Sequence, residues 1–417
     1  MSFDGVVLAL VLAAQPATQT PQDCIKAARD FSAQRLKELG PATGETVRLV
    51  TSERLALVRA CAARFDIKKT APADLAPLVE LYAEAQQLDL AEQALRRGLA
   101  DPSADSASRA SLLTLAVRTT LRKPKSEERN RIAEQYMDSL DALGDAALES
   151  RLAAHAALNN YYRGDDIDSG IIKHSTWLIS TGKQLDPARR KQYANAIISA
   201  HVNLAEARAG QGENDRAIEL LKTAIAEWTD SPVAASRVKD VLTRYMLVGT
   251  DAPPVQARSW LNRPGGEAMD LKGKVTLLQF TAHWCGPCKE SYPGMKRLLE
   301  RFGKRDFQVL FYTRTYGYFE TERGLTAEQE IDRDRKYFAG YGLDIPIAVG
   351  TPSSIVVDGK PTFQEDPLEL AYAVGGIPQI NLIDADGRIR LVMIGYDDAN
   401  EEKLASIIDN VLKEKKR

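Results

Sequence analysis

The sequence predicts an all-α helical-repeat region followed by an α/β domain, a central mixed sheet flanked by helices. Three observations predict this. From about Pro21 to Tyr245 the chain is Ala- and Leu-rich with charged faces, and Gly and Pro fall mainly at breaks such as Gly40-Pro41, Gly164 and Gly210. At Gly249-Thr250-Asp251-Ala252-Pro253-Pro254 the composition changes and a linker begins. Beyond it, short apolar runs alternate with amphipathic stretches, the pattern of strands joined by crossover helices. We therefore divide the chain into 1–20, 21–248 and 249–417.

Length and composition agree with this division. A chain of 417 residues exceeds one ordinary domain. Hydrophobic residues at 44% and charged residues at 27% are typical of a soluble globular protein. A formal net charge of −2 gives no global attraction to nucleic acid or to an anionic membrane. The basic tail Lys413-Glu414-Lys415-Lys416-Arg417 reads as a solvated helix end.

Val6 to Ala14 is an apolar run followed by polar residues. It is too short for a bilayer-spanning helix, which needs about 20 residues. Its length fits the core of a secretory signal, with small residues at Ala13, Ala14 and Ala17 near a cleavage point. No Lys or Arg precedes it, and Asp4 stands where positive charge is usual. The alternative is an apolar segment packed on the helical domain.

The first two predicted helices form a hairpin around Gly40-Pro41-Ala42-Thr43-Gly44. Cys24 and Cys61 lie at matching distances on either side of that turn. With about 1.5 Å of rise per residue, they stand level across the hairpin. A structural disulfide is expected if they also face each other, as in an oxidising compartment; two unrelated buried thiols is the other reading. The remaining cysteines form one close pair, Cys285 and Cys288, with no His at ligand spacing, so no metal site is expected.

Farther along the helical region, Leu204-Ala205, Gly212, Ala217, Leu221 and Ala224 fit the 34-residue spacing of the tetratricopeptide repeat. Leu78, Tyr82, Ala91, Leu95 and Gly98 give a weaker match, and Tyr161, Gly170 and Trp177 a third. The region 21–248 thus resembles a tetratricopeptide-like array. Such arrays often bind peptides; a plain helical spacer is the alternative. His155, His174 and His201 fall on separate predicted helices and read as structural.

In the α/β region, Val275 to Phe280 reads as a buried strand and is followed by a helix through about Phe302. Phe307 to Thr313 is a second strand, Leu325 to Tyr341 a charged amphipathic helix, and Ile345 to Val349 a third strand. A short helix spans about Leu368 to Ala373. Strands Gln379–Ile383 and Ile389–Ile394 flank the hairpin turn Asp384-Ala385-Asp386-Gly387. A helix from Asn400 to Lys413 closes the domain.

Trp284-Cys285-Gly286-Pro287-Cys288 lies between the first of these strands and its helix. A three-residue step on a helix puts both sulfurs on one face. The helix N-terminus presents unpaired N–H groups and the positive end of the dipole to Cys285. Both favour the thiolate, the nucleophile of thiol–disulfide exchange. Pro287 in the first turn has no N–H to waste, and Gly286 permits tight entry. Cys288, farther in, is expected to be the more buried and to resolve a mixed disulfide. Pro293 kinks the same helix, and Gly375-Gly376-Ile377-Pro378 precedes the penultimate strand.

The element order is that of the thioredoxin fold with one helix inserted. Residues from about 250 to 415 resemble the TlpA/ResA branch of thioredoxin-like proteins, which are extracytoplasmic thiol–disulfide oxidoreductases. The resemblance rests on Leu271-Lys272-Gly273-Lys274-Val275, on Trp284-Cys285-Gly286-Pro287-Cys288-Lys289, and on Gly376-Ile377-Pro378 with Leu382-Ile383-Asp384. It implies a cis-proline at Pro378 opposite the cysteines. It further implies that Ile377 and Pro378 offer backbone contacts to substrate and keep Cys285 from capturing metal, and that Trp284 covers the edge of the site.

Two positions depart from relatives. Thioredoxin carries a buried acid where this chain has Gln279, a difference shared by much of the branch. Many members of the branch place a Glu where this chain has Ser291. Glu290 is adjacent but points about 100° away on a helix. His283 reads mainly as a partly exposed loop residue, with modulation of the thiolate as the alternative. Tyr312, Tyr316, Tyr318 and Phe319 read either as an apolar platform for substrate or as packing inside the inserted element.

The resulting expectation is an extracytoplasmic oxidoreductase, in the periplasm or cell envelope, exchanging disulfides with protein substrates and with an upstream redox partner. It needs no cofactor beyond its redox-active disulfide, and the Gly-Pro dipeptide favours reduction of substrates. One alternative is a helical binding scaffold with an ancillary redox domain. Another is a thiol peroxidase, disfavoured by Ala282 where peroxiredoxins carry Thr.

Overall fold

The computed structural model describes residues 20–39, 44–164, 167–229, 232–263, 268–357, 360–396 and 398–414. The candidate secretory segment, the residues of the first hairpin turn at 40–43 and the last three residues of the basic tail lie outside them. The chain divides into two compact units, Met1–Asn203 and Leu204–Arg417. The composition change near Gly249 falls within the second.

The first unit is helical: α1 (Pro21–Leu39), α2 (Gly44–Ala62), α3 (Leu75–Glu84), α4 (Leu88–Leu99), α5 (Ser106–Leu121), α6 (Glu127–Asp141), α7 (Leu148–Gly164), α8 (Asp168–Gly182), α9 (Pro187–Gln192) and α10 (Ala194–Gly210), within which the division falls. Side-chain caps start several of these helices. Asp105 accepts from the Ser108 N–H, Ser126 from Arg129, and Asp186 from Ala188 and Arg189 with Pro187 opening the helix. Cys24, Ile25, Leu57, Cys61, Leu78, Tyr82 and Leu95 are buried in one apolar cluster. A disulfide joins Cys24 of α1 to Cys61 of α2, with Cα atoms 6.1 Å apart. Gly170 lets α8 approach α7 closely, since a Cβ there would stand 2.2 Å from the Tyr162 ring.

The second unit adds α11 (Asn214–Glu227) and α12 (Pro232–Met246) before the α/β domain. That domain contains β1 (Val255–Gln256), β2 (Ser259–Leu261), β3 (Ala268–Met269), β4 (Val275–Phe280), α13 (Gly286–Phe302), β5 (Phe307–Thr313), β6 (Tyr318–Phe319), β7 (Glu322–Arg323), α14 (Ala327–Gly340), β8 (Ile347–Val349), β9 (Ser354–Val357), β10 (Lys360–Phe363), α15 (Pro367–Ala371), β11 (Gln379–Ile383), β12 (Ile389–Ile394) and α16 (Asp398–Glu414). Six strands form a mixed sheet ordered β12-β11-β4-β5-β8-β2. β4, β5 and β8 run parallel, while β11, β12 and β2 are antiparallel to their neighbours.

β4 is central and all six of its residues are buried. Alternation along the strands assigns their side chains to two cores. Leu277, Val309, Phe311, Ile380 and Leu382 meet α13, α14 and α16 on one face. Leu278, Phe280, Leu310 and Tyr312 meet Leu368 and Tyr372 on the other. The short strands β1–β3 and the hairpins β6–β7 and β9–β10 leave no period-2 signal, and the sequence reading missed them. The expected linker is itself paired: Gly249 N–H donates to the Ile389 carbonyl (2.7 Å), and Ile389 N–H to that of Thr250 (3.0 Å).

Candidate active site

β4 ends at Phe280, and after four intervening residues the chain enters α13 with Cys285 as its N-cap. Cys285 Sγ accepts the Cys288 N–H at 3.2 Å, so a sulfur takes the capping place usually held by an oxygen. The two cysteines are joined by a disulfide with Cα atoms 5.3 Å apart. Cys285 is 3% exposed and Cys288 0%, whereas Trp284 is 47% exposed and stands at the rim. Gly286 and Pro287, the first helical residues, are also exposed.

Opposite the disulfide, the Ile377–Pro378 peptide bond is cis. The Ile377 carbonyl oxygen lies 3.7 Å from Cys285 Sγ. Pro293 sits inside α13. Gly294 beside it admits the Tyr396 side chain, whose hydroxyl would lie 2.0 Å from a Cβ.

The two departures noted in the sequence meet each other. Gln279 of β4 donates through Nε2 to Ser291 Oγ (2.8 Å), and Ser291 Oγ donates to the Cys288 carbonyl (2.7 Å). Both side chains are fully buried, so neutral groups join the central strand to the helix behind the cysteines. Glu290 is exposed.

His283 corrects the expectation of a partly exposed loop residue: it is 3% exposed. Its ring packs against Phe319 at 4.8 Å, Tyr318 at 5.3 Å and Tyr316 at 5.8 Å between centroids. Trp284 meets Tyr316 edge-on at 5.3 Å. The aromatics after β5 therefore pack around His283. Tyr312 points into the other core, where it donates to Asp366 at 2.9 Å.

Sequence reasoning missed Glu330 and Asp334, both 0% exposed on α14. The Glu330 carboxylate accepts N–H bonds from Tyr316 (2.8 Å) and Gly317 (2.7 Å), and its Oε1 lies 3.4 Å from His283 Nε2. Neither oxygen of Asp334 has a hydrogen-bond partner among the described residues. Burial, with the Glu330 charge adding to it, pushes the Asp334 carboxyl up to about 8. A signal was available: Glu330 and Asp334 share a helical face with Phe338 at four-residue spacing, and Phe338 is plainly a core residue.

In the first unit, His155 Nδ1 and His174 Nδ1 stand 2.7 Å apart, flanked by Asp141 and Glu134. Burial first, then the neighbouring His174, holds His155 down at about 3, which fits a structural reading. Among the described residues no cluster of three or more His, Cys, Asp or Glu has metal-binding geometry.

A disulfide capping the helix that follows the central strand of this sheet, with a cis X-Pro bond beside it, defines a thioredoxin-fold thiol–disulfide oxidoreductase. The chain is similar to several known proteins over this region. Residues 248–392 match the AhpC/TSA family. The thiol-disulfide oxidoreductase ResA of Bacillus thuringiensis (strain Al Hakam) is 25% identical over 166 residues, 40% of this chain and 79% of that protein. ResA of Bacillus subtilis (strain 168) is 24% identical over 147 residues, 35% of this chain and 67% of that one. Among solved structures, a thiol-disulfide isomerase from Corynebacterium glutamicum is 22% identical, with TM-score 0.29, covering 39% of this chain and 96% of its own. Over this stretch the C-terminal region is similar to the ResA thiol-disulfide oxidoreductases.

Proposed function

We propose that this chain reduces disulfides of extracytoplasmic proteins. The observation that carries the reading is the position of Cys285, with Sγ at a helix N-terminus, accepting the Cys288 N–H and beside the Ile377 carbonyl. The same N–H and the helix dipole favour a thiolate there once the pair is reduced.

The Cys285 thiolate attacks one sulfur of a substrate disulfide. A Cys285–substrate bond forms, the substrate bond breaks, and the departing thiolate takes a proton. Cys288 then gives up its proton and attacks Cys285 Sγ, closing the Cys285–Cys288 disulfide and releasing the second substrate thiol. Two electrons pass from the pair to substrate, and an upstream thiol donor must return them. Ile377 and Pro378 offer main-chain contacts to the substrate, and Trp284 an exposed apolar edge.

The Gly286-Pro287 dipeptide supports the reducing direction. Extracytoplasmic location is supported by the apolar run Val6–Ala14 and by the Cys24–Cys61 disulfide, a bond suited to an oxidising compartment. Among the described residues no helix is long and apolar enough to cross a membrane. The reduction potential, measured in glutathione or dithiothreitol buffers, tests the direction. A value near about −270 mV supports a reductase, and one near about −120 mV makes the protein a disulfide donor.

A second reading, a helical scaffold with an ancillary redox domain, is favoured by a groove of about 380 Å³ lined by Gln22, Glu80, Ser111, Thr114, Arg118 and Glu149. It predicts partner binding that persists in full-length Cys285→Ser. A peroxide-consumption assay decides against or for the thiol peroxidase.

A further inference from the structure

Besides Met246 at the end of α12 and Tyr341 after α14, the large apolar side chains exposed among the described residues of the second unit are Trp284, Phe363, Leu370 and Ile394. A single exposed apolar side chain is ordinary. These four belong to segments at one end of the sheet, the end that holds Cys285. Trp284 follows β4. Ile394 is opposite Gln379, which is opposite Phe280, the last residue of β4. Its Cγ2 would lie 3.7 Å from a Cβ on Gly376. Phe363 belongs to the β9–β10 hairpin, which follows β8, a strand parallel to β5 and through it to β4. Leu370 lies on α15, between that hairpin and the Gly375–Pro378 segment.

The hairpin is firmly rooted at that end. Arg314, 3% exposed, donates to the carbonyls of Thr351 (3.0 Å), Pro352 (3.0 Å) and Gln364, which flank β9 and β10, and to Glu369 Oε2 (2.9 Å). The Ser353 N–H donates to the Thr315 carbonyl (2.7 Å), and the Gln364 N–H to that of Ser353 (2.9 Å). Phe363 pairs with Ser354 across the hairpin, and the Arg314 guanidinium carbon lies 5.9 Å from its ring centroid. The ring is nonetheless 73% exposed. Successive contacts lead back to the disulfide. Thr315, which holds the hairpin through Ser353, adjoins Tyr316, and the Tyr316 ring meets that of Trp284, the neighbour of Cys285.

We propose that Phe363 is a specificity-determining residue of the exchange reaction, binding an apolar side chain in the segment that flanks the substrate's disulfide. This rests on the reading of Cys285–Cys288 as an exchanging pair and names its substrate class: a polypeptide whose disulfide lies in an extended apolar stretch. Charge favours this occupant over an acidic or basic one. The Arg314 cation beneath Phe363 is matched inside the fold by Glu369, with Asp366 Oδ2 4.0 Å away, so the ring offers apolar area rather than a charge. Continuity favours it as well, because the other exposed side chains at this end of the sheet, Trp284, Leu370 and Ile394, are also apolar.

The test uses the full-length chain, reduced with dithiothreitol and then freed of it. Two synthetic peptides of equal length and net charge carry the same internal disulfide, flanked by Leu and Phe in one and by Ser and Gln in the other. The flanks extend about six residues from each cysteine, roughly 20 Å of extended chain. Wild type should reduce the apolar peptide about tenfold faster than the polar one, and Phe363→Ser should erase most of that preference. Because Phe363 is largely exposed, its replacement leaves the core intact. Phe363→Leu, which keeps an apolar side chain, should retain the preference. Equal rates for the two peptides in wild type, a preference that survives Phe363→Ser, or an equal loss in both variants overturns the proposal.

Glutathione disulfide, too small to reach from the reacting sulfur to the hairpin, separates this proposal from the reading beneath it. Reduced wild type that neither glutathione disulfide nor either peptide oxidises overturns the functional reading itself. Wild type that exchanges with all three, but with no preference between the peptides, overturns only the role of Phe363.

Discussion

The two disulfides are about equally buried, yet their surroundings differ in every respect that matters for chemistry. Cys24 and Cys61 lie on two helices among Ile25, Leu57, Leu78 and Val79, each 2% exposed. Both belong to the apolar cluster, and although Cys24 also lies in the first turn of its helix, its N–H donates to the Thr20 carbonyl (3.2 Å). Cys285 is itself a helix N-cap whose Sγ accepts the Cys288 N–H, with a carbonyl and a rim-exposed Trp beside it. Burial therefore does not separate the two bridges; under the proposed function, the polarity of the adjacent backbone is what separates the exchanging pair from the structural one. Loop length separates them as well. A bridge spanning 37 residues restricts the unfolded chain strongly, and one spanning 3 restricts it little.

The comparison is broken most directly at Cys285. Cys285→Ser should lower exchange with a peptide disulfide by at least about 10³-fold, and Cys288→Ser should accumulate a mixed disulfide visible by mass spectrometry. Neither should move the melting temperature as far as loss of the other bridge. Cys61→Ser should cost about 2–4 kcal/mol in denaturant unfolding while leaving the exchange rate unchanged. An unaltered midpoint would remove Cys24–Cys61 from the list of stabilising features.

Next in size is the effect of Asp334 on pH dependence. Its carboxyl titrates near 3.8 when unfolded and is pushed up to about 8 in the fold. Between those values the folded protein keeps a proton that the unfolded chain has released, so stability falls as pH rises from about 4 to about 8 and then levels off. Asp334→Asn should flatten that slope and gain stability at pH 9. Parallel stability curves for the two proteins would refute the assignment.

The smallest effect belongs to Ser291→Ala. It removes the partner of Gln279 Nε2 and should cost about 1–3 kcal/mol by leaving a buried donor unpaired. Exchange should stay within a few-fold of wild type. A larger loss would give the Gln279–Ser291 link a part in the chemistry.

Much of this molecule was legible in residue order. The strand Val275–Phe280, the helix to Phe302, the turn Asp384–Gly387 and the paired strands around it followed from local apolar periodicity and turn chemistry. The placement of Cys285 and Cys288 at a helix start followed from their three-residue spacing, because capping and the dipole are properties of one chain segment. The level placement of Cys24 and Cys61 followed from helical rise alone.

Tertiary structure decided the rest, because those features join residues far apart in the chain. Gln279 and Ser291 each read as an absence beside the relatives, and only the packing of α13 on β4 makes them one hydrogen-bonded link. His283 reads as a loop residue until the segment after β5 folds over it and α14 brings Glu330 to 3.4 Å. Asp334 looks like one acid among several on a charged helix, and its proton affinity comes from what is packed against it. Local interactions wrote the thiol motif into the sequence; the charges around it were set by desolvation, which depends on the assembled core.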